Sequence, residues 1–388
     1  MNPFELNIRH LRAVAAIVET GSISAAARVV NLTQPAITQG IAKLERQIDL
    51  PLFERRPGGM SPTPAAILLA PRVMAALRLM DSRHATAAQI SAFLAVARCG
   101  GYAGAAAETG LSEPSLHRAV GDLSLAIGHI LVERKGKGVA LTARGAVIAR
   151  RFRLGEAELK SAMSELASLK GREVGRIVVG AMPLSRAQLL PAAVTAFHRQ
   201  HPQIRVSIIE GSHAELVGPL RDGEIDMMVG ALRLGTSDEA ARHTALFEDR
   251  PVILARAGHP LAGSKGALKP EAMTAYSWIT TAVGTPLRAQ WEAMFEAAGT
   301  VPPAVPIECG AVIMVRQMLL QSDFLTLLSP DQVAVELEAG WLVKVADAPG
   351  DVTRTIGVTT RADWRPTALQ RRFLDILSEQ AAVIAAKP

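Results

Sequence analysis

Residues 11–66 and 90–145 align without a gap at a constant offset of 79, so the chain writes one pattern twice. A repeat of this length is a small domain copied in tandem, and any fold assigned to the first copy has to serve the second. Identities fall where geometry is demanding: Gly21 and Gly100, Ala26 and Ala105, Leu32 and Leu111, Pro35 and Pro114, Leu44 and Leu123, Leu52 and Leu131, Arg55 and Arg134, Thr63 and Thr142.

In the first copy Leu11, Val14, Ala15 and Val18 recur at helical spacing and describe one buried stripe. Gly21 ends that helix, Ser22 or Ser24 caps the next, and a turn is expected at Asn31. Thr33 then caps a third helix with Gln34 and Pro35 in its first turn, where the missing N–H of proline costs nothing. Ile37, Ile41, Leu44 and Ile48 step by four, three and four, which turns all of them inward. The opposite face carries Gln34, Thr38, Gln39, Lys43 and Arg46, with no carboxylate before Glu45, which lies to one side.

Such a face suits the major groove, where glutamine and threonine pair with base edges and cations reach phosphate. Gln34, Thr38 and Gln39 are the expected readers of sequence, with Ser24, Thr33 and Pro35 completing the DNA-facing set. Lys43, Arg46, Arg55 and Arg56 are the expected backbone contacts, the last two on a basic hairpin wing that follows Leu52 and Phe53. The alternative is a compact helper domain without DNA.

The second copy repeats the inward stripe with Leu116, Val120, Leu123 and Ile127, but Glu113, His117, Asp122 and Leu125 replace Gln34, Thr38, Lys43 and Arg46. Two carboxylates facing a strongly negative groove make a poorer reader. His117, Arg118, Arg134, Lys135 and Lys137 leave auxiliary DNA contact open beside a packing or dimer-forming role.

Charge follows the same division. Residues 1–150 hold 17 Lys/Arg against 10 Asp/Glu, whereas residues 151–388 hold 25 against 26. The front suits a polyanion and the rear does not. Only Cys99 and Cys309 occur, without a Cys-x-x-Cys pair, so neither a disulfide framework nor a zinc site is expected. No basic leader precedes an apolar run, and a soluble, cytoplasmic chain without membrane contact is expected.

Between and after the copies, 64–83 and 143–169 read as apolar helices. Ile148, Phe152, Leu159, Met163 and Leu166 form a stripe on the second, expected to serve as a dimer arm or to pack on its own chain. Strands at 176–180, 204–209 and 225–229 alternating with helices imply a parallel, doubly wound sheet, whose ligands bind beyond the carboxyl ends of the strands. The fold class is α/β overall: two tandem winged helix-turn-helix domains and a two-lobed effector domain. The expected divisions are 1–84, 85–142, a linker helix and hinge at 143–171, one lobe at 172–255 with 341–388, and a second at 256–340.

Ser185, Arg233, Thr281 and Thr285 are the candidate effector contacts, against the alternative of plain capping by the hydroxyls and solvation of Arg233. No His-Glu-x-x-His, P-loop or Gly-x-Ser-x-Gly appears, Ser185 lacks an identifiable base, and His198 and His201 read as surface or capping residues. No enzyme, cofactor or metal is expected.

The stretches GSISAAA at 21–27, LTQPAIT at 32–38, IAKLE at 41–45 and LFERR at 52–56 resemble the LysR-type bacterial transcriptional regulators, and LRDGEID at 220–226 and GHPL at 258–261 resemble that family's effector domain. The resemblance implies a winged helix-turn-helix, a dimerising linker helix and a periplasmic-binding-like effector domain. It also implies double-stranded DNA, RNA polymerase contact, homodimers or homotetramers, and a small effector such as an organic or aromatic acid or a sugar-related metabolite. The extra winged domain departs from the family pattern. A winged-helix protein-interaction module that regulates another factor is the alternative function.

Overall fold

The computed structural model describes residues 3–56, 59–80, 85–136, 138–233, 239–263, 268–350 and 352–386, the side chains of 55, 56 and 59 excepted. Two compact units result, the first holding both copies of the repeat and the long helix after them, the second holding most of the remainder.

In the first copy α1 (Ile8–Thr20), α2 (Ile23–Val30) and α3 (Gln34–Ile48) precede the hairpin β1 (Phe53–Arg56) and β2 (Gly59–Pro62), and α4 (Pro64–Met80) leads away. The second copy repeats the order as α5 (Ala87–Cys99), α6 (Tyr102–Thr109), α7 (Glu113–Ile127), β3 (Val132–Lys135), β4 (Gly138–Leu141) and α8 (Ala143–Leu169). Ile37, Ile41, Leu44 and Ile48 are all buried, and so are Leu116, Val120 and Leu123; Ile127 packs half-buried on the same core.

The turns are solved differently in the two copies. Asn31 and Asp49 take the left-handed conformation at φ 53° and 57° after α2 and α3, where the second copy has Gly110 and Gly128 at 71° and 76°. Short polar side chains reach that region at some cost and glycine at none. The junction behind each hairpin is built alike: Thr63 Oγ1 donates to the Pro51 carbonyl at 2.7 Å, and Thr142 Oγ1 to the Ile130 carbonyl at 2.8 Å.

The stripe on α8 is covered by α4 of the same chain. Arg72 reaches from α4 to Glu158 at 3.2 Å and Glu165 at 2.7 Å, and all three side chains are largely buried. Burial would lower the Arg72 pKa, but the hydrogen bonds and charge of Glu165 and Glu158 outweigh it and raise it. At the far end Lys170 donates to the Ile48 carbonyl and pairs with Asp49 at 3.0 Å, so the close of the linker helix is pinned to the close of α3.

The second unit contains two five-stranded sheets. One runs β6 (Arg205–Glu210), β5 (Arg176–Ala181), β7 (Met227–Ala231), β14 (Arg354–Arg361), β8 (Ala241–Asp249); the other runs β11 (Ile307–Glu308), β10 (Trp278–Thr280), β12 (Leu325–Leu328), β9 (Val252–Arg256), β13 (Leu342–Asp347). The sheets are mixed rather than purely parallel: β14 is antiparallel to β7 and β8, and β9 is antiparallel to β12 and β13. An apolar run carries no record of the direction of its partner, which is why alternation with helices overstated the parallel share. Both β9 and β13 join the second sheet, so that lobe begins before 256 and ends after 340, wider than the reading from sequence.

The first lobe packs Phe197 edge-on to Phe373 at 5.3 Å, and the second centres on Trp278, Trp291 and Phe295, with ring centroids 5.2 to 5.7 Å apart. No single helix among the described residues is long and apolar enough to cross a membrane.

Candidate nucleic-acid interface and effector cleft

The α3 face is exposed along its length: Thr33, Gln34, Pro35, Thr38, Gln39, Lys43 and Arg46 all stand open to solvent. Gln34 Nε2 donates to Ser24 Oγ at 3.0 Å, which sets the amide across the gap between α2 and α3. Thr38 Oγ1 is turned back to the Gln34 carbonyl at 3.0 Å, and Arg46 Nε donates to the Ala42 carbonyl at 3.3 Å. Gln39 and Lys43 complete a polar strip that contains donors, acceptors and cations but no carboxylate.

Glu45, which the sequence placed to one side, has a structural duty: its Oε1 accepts from the backbone N–H of Leu52 at 2.7 Å and of Phe53 at 3.3 Å, fastening the wing to α3. The matching position, Ser124, turns to the Val120 carbonyl instead. Gly40 lets α1 close on α3, since a Cβ there would lie 2.8 Å from His10 Cδ2. Burial, with help from the charge on Lys43, lowers the His10 pKa. The wing side chains of Arg55 and Arg56 lie outside the described residues, as does Lys137.

The second copy offers a different surface. His117 stacks on Tyr102 with ring centroids 3.4 Å apart, Leu125 is 82% exposed, and Glu113 and Asp122 face solvent beside it. Arg118, Arg134 and Lys135 are exposed.

In the second unit the candidate residues stand at or just beyond strand ends. Ser185 is fully buried in a short 3-10 turn (Pro183–Arg186) after β5, and its hydroxyl donates to the Met182 carbonyl at 2.9 Å. Arg233 follows β7, parallel to β5, and is half-buried. Thr281 follows β10, and its hydroxyl lies 2.7 Å from that of Thr285, which caps the helix Pro286–Ala297 through the N–H of Arg288. The structure therefore groups the candidates by lobe, Ser185 and Arg233 in one, Thr281 and Thr285 in the other, with their hydroxyls already engaged in local bonds.

Sequence reasoning passed over three neighbours of these positions. Arg186 ties the ends of β5 and β6, donating to the Ala181 and Gly211 carbonyls and pairing with Glu210 at 3.0 Å. Arg288 donates to Thr280 Oγ1 at 2.8 Å and pairs with Glu292 at 2.7 Å, its guanidinium over the Trp291 ring. Ser329, one residue past β12, is fully buried and its Oγ has no hydrogen-bond partner among the described residues. A cation or hydroxyl within a few residues of an apolar run is the signal that marks such positions. Among the described residues no cluster of His, Cys, Asp and Glu suits a metal ion.

The chain matches the family of bacterial regulatory helix-turn-helix proteins, lysR family, over residues 8–67 and again over 87–146, and the LysR substrate binding domain over 170–382. It belongs to the LysR-type transcriptional regulators. Over 392 residues it is 30% identical to the HTH-type transcriptional regulator GalR of Pseudomonas putida, an alignment covering 97% of this chain and 98% of that one and so running through both repeats. It is 32% identical over 301 residues to the SDS degradation transcriptional activation protein of a Pseudomonas species, covering 76% of this chain and 96% of the relative. In fold it is similar to a full-length OxyR variant from Pseudomonas aeruginosa, at a TM-score of 0.58 and 22% identity over 76% of this chain and 94% of that one. It is also similar to full-length LysG from Corynebacterium glutamicum with bound effector Arg, at 0.55 and 16% over 76% and 98%. The LysR-type chain is thus a DNA-binding transcriptional regulator whose activity is modulated by a small-molecule effector.

Proposed function

We propose that this LysR-type regulator reads sequence with its first winged domain and holds the duplex through phosphate with its second. The observation that carries the reading is the open, carboxylate-free strip on α3, with Gln34 steadied by Ser24. Gln34, Thr38 and Gln39 meet base edges from the first two turns of the helix, within the part that enters a major groove. Lys43, Arg46, Arg55 and Arg56 neutralise phosphates on either side, and Arg118, Arg134, Lys135 and Lys137 extend the contact from the second copy.

The effector in this proposal is a small organic acid held at the strand ends near Ser185, Arg233, Thr281 and Thr285. Hydroxyls, backbone N–H groups and guanidinium groups at such ends favour a carboxylate. LysG carries the small charged effector Arg on a similar fold, which supports a ligand of that size. Assembly as a homodimer or homotetramer on DNA and contact with RNA polymerase belong to the same proposal.

The test is competition binding with the Gln34→Ala, Gln39→Ala double variant. Each bidentate contact between a side chain and a base is worth about 1–3 kcal/mol of discrimination, so the variant is expected to bind all duplexes with nearly equal affinity. Unchanged preference for the wild-type target would remove the mechanism.

A further inference from the structure

The packing of α4 on α8 carries a symmetry. Six buried positions of α4, namely Ala66, Leu69, Ala70, Val73, Ala76 and Met80, each recur 79 residues later as a buried residue of α8. The two helices therefore bury the same face of the repeat, Gly145 and Phe152 against Leu131 and Phe93 of their own winged domain and Gly155 against Ala76 and Met80 of α4.

Individual contacts obey the exchange as well. Arg72 meets Glu158; adding 79 to the first and subtracting 79 from the second gives Arg151 and Leu79, and Arg151 Nε donates to the Leu79 carbonyl at 2.9 Å. Ala76 and Gly155 are images of each other, and they touch: a Cβ on Gly155 would lie 3.2 Å from the Ala76 carbonyl oxygen. A contact that maps onto itself marks a local twofold axis, and the descending register from Arg72 and Glu158 to Leu79 and Arg151 makes the helices antiparallel. The ion cluster itself has no image, because 79 residues before Glu158 and Glu165 stand Leu79 and Thr86.

We infer that one chain is its own DNA-binding pair: α4 and α8 join the two winged domains as a pseudo-dimer, and a single chain grips an asymmetric duplex, one half read by α3 and the adjoining half held by phosphate contacts from the second copy. Twofold helix-turn-helix pairs meet half-sites related by the same symmetry, and unequal halves of the protein call for unequal halves of the site. The α8 face that would receive a helix from another chain is filled by α4, and the buried Arg72 cluster locks it there. This inference rests on the DNA reading proposed above.

Selection of binders from a random duplex pool with the full chain, followed by footprinting, tests it. For each bound chain the expected motif has one sequence-defined element flanked on one side by about one helical turn, roughly 10 base pairs, of protected but sequence-neutral duplex. Two equal elements inverted at that spacing would overturn the inference while leaving DNA reading intact; no enriched sequence at all would defeat both. A second arm uses charge reversal: Arg72→Glu in one chain and Glu158→Arg with Glu165→Arg in another each lower the melting temperature. The three changes combined in one chain are expected to restore it. Recovery on mixing the two altered chains would place the pairing between chains and overturn the inference.

Discussion

The two winged domains share a core and differ at their surfaces. Leu44 and Leu123 are both fully buried, Thr63 and Thr142 make the same bond to the chain ahead of the wing, and α4 and α8 bury the same six positions. Yet the exposed strip of α3 is glutamine, threonine and lysine, where α7 offers glutamate, a stacked histidine, aspartate and a bare leucine. Packing constrains buried positions to a narrow set of volumes, whereas an exposed helix face is free to change without loss of fold. The comparison therefore separates what a winged domain needs to fold from what it needs to read.

The largest effect that sharpens this comparison lies at the start of the long helices. Gly145 stands where the first copy has Ala66, and a Cβ on Gly145 would fall 1.9 Å from the Leu131 carbonyl oxygen. Overpacking of a closed site costs about 1–3 kcal/mol, so Gly145→Ala is expected at the upper end of that range by denaturant unfolding. The converse change, Ala66→Gly, should cost only about 1 kcal/mol through helix propensity. Equal costs would mean that the two junctions are not distinct.

A smaller effect concerns the wing. Removing the Glu45 carboxylate leaves the Leu52 and Phe53 N–H groups without their acceptor, and Glu45→Ala is expected to lose about 1–2 kcal/mol, with faster amide exchange at those two residues. Ser124→Ala, at the matching site, should stay within about 0.5 kcal/mol. A measurable wing defect in the second copy would break the contrast.

The smallest effect is one of pH. Burial lowers the His10 pKa, so the fold favours neutral imidazole and the unfolded chain binds more protons as the solution is acidified. The stability this contributes is whole above about pH 6.5 and is lost as pH falls through that value toward the folded pKa. Burial lowers the His259 pKa in the second unit in the same direction. Position 10 matches Gln89, so His10→Gln gives the first copy the side chain of the second. The drop in melting temperature between about pH 7.5 and about pH 5.5 is expected to shrink in that variant, and an unchanged drop would show that His10 is not coupled to folding.

Much of this architecture was legible in the sequence. The four-three-four spacing of Ile37, Ile41, Leu44 and Ile48 located the buried face of α3, and Gly21, Asn31 and Thr33 marked the breaks between helices because backbone conformation and capping are local properties. The Gly21, Leu32, Pro35 and Leu44 matches carried the second copy along with the first. What stayed hidden was pairing at long range. The antiparallel placement of β8, β9, β13 and β14 depends on partners far along the chain, and the duties of Glu45, Arg72 and Arg288 depend on which carboxylate, carbonyl or N–H the fold brings near them. Thr285 shows the same limit in the effector half: its capping of the helix Pro286–Ala297 was legible, whereas its partnership with Thr281 and the buried hydroxyl of Ser329 were not.

When two identical subunits form a pair, every mutation appears on both sides at once, and the target is held to a palindrome. The helix pair Pro64–Met80 with Ala143–Leu169 joins two copies encoded separately in one gene. A substitution in either copy leaves the other unchanged, so selection can tune one half for recognition while relaxing the other.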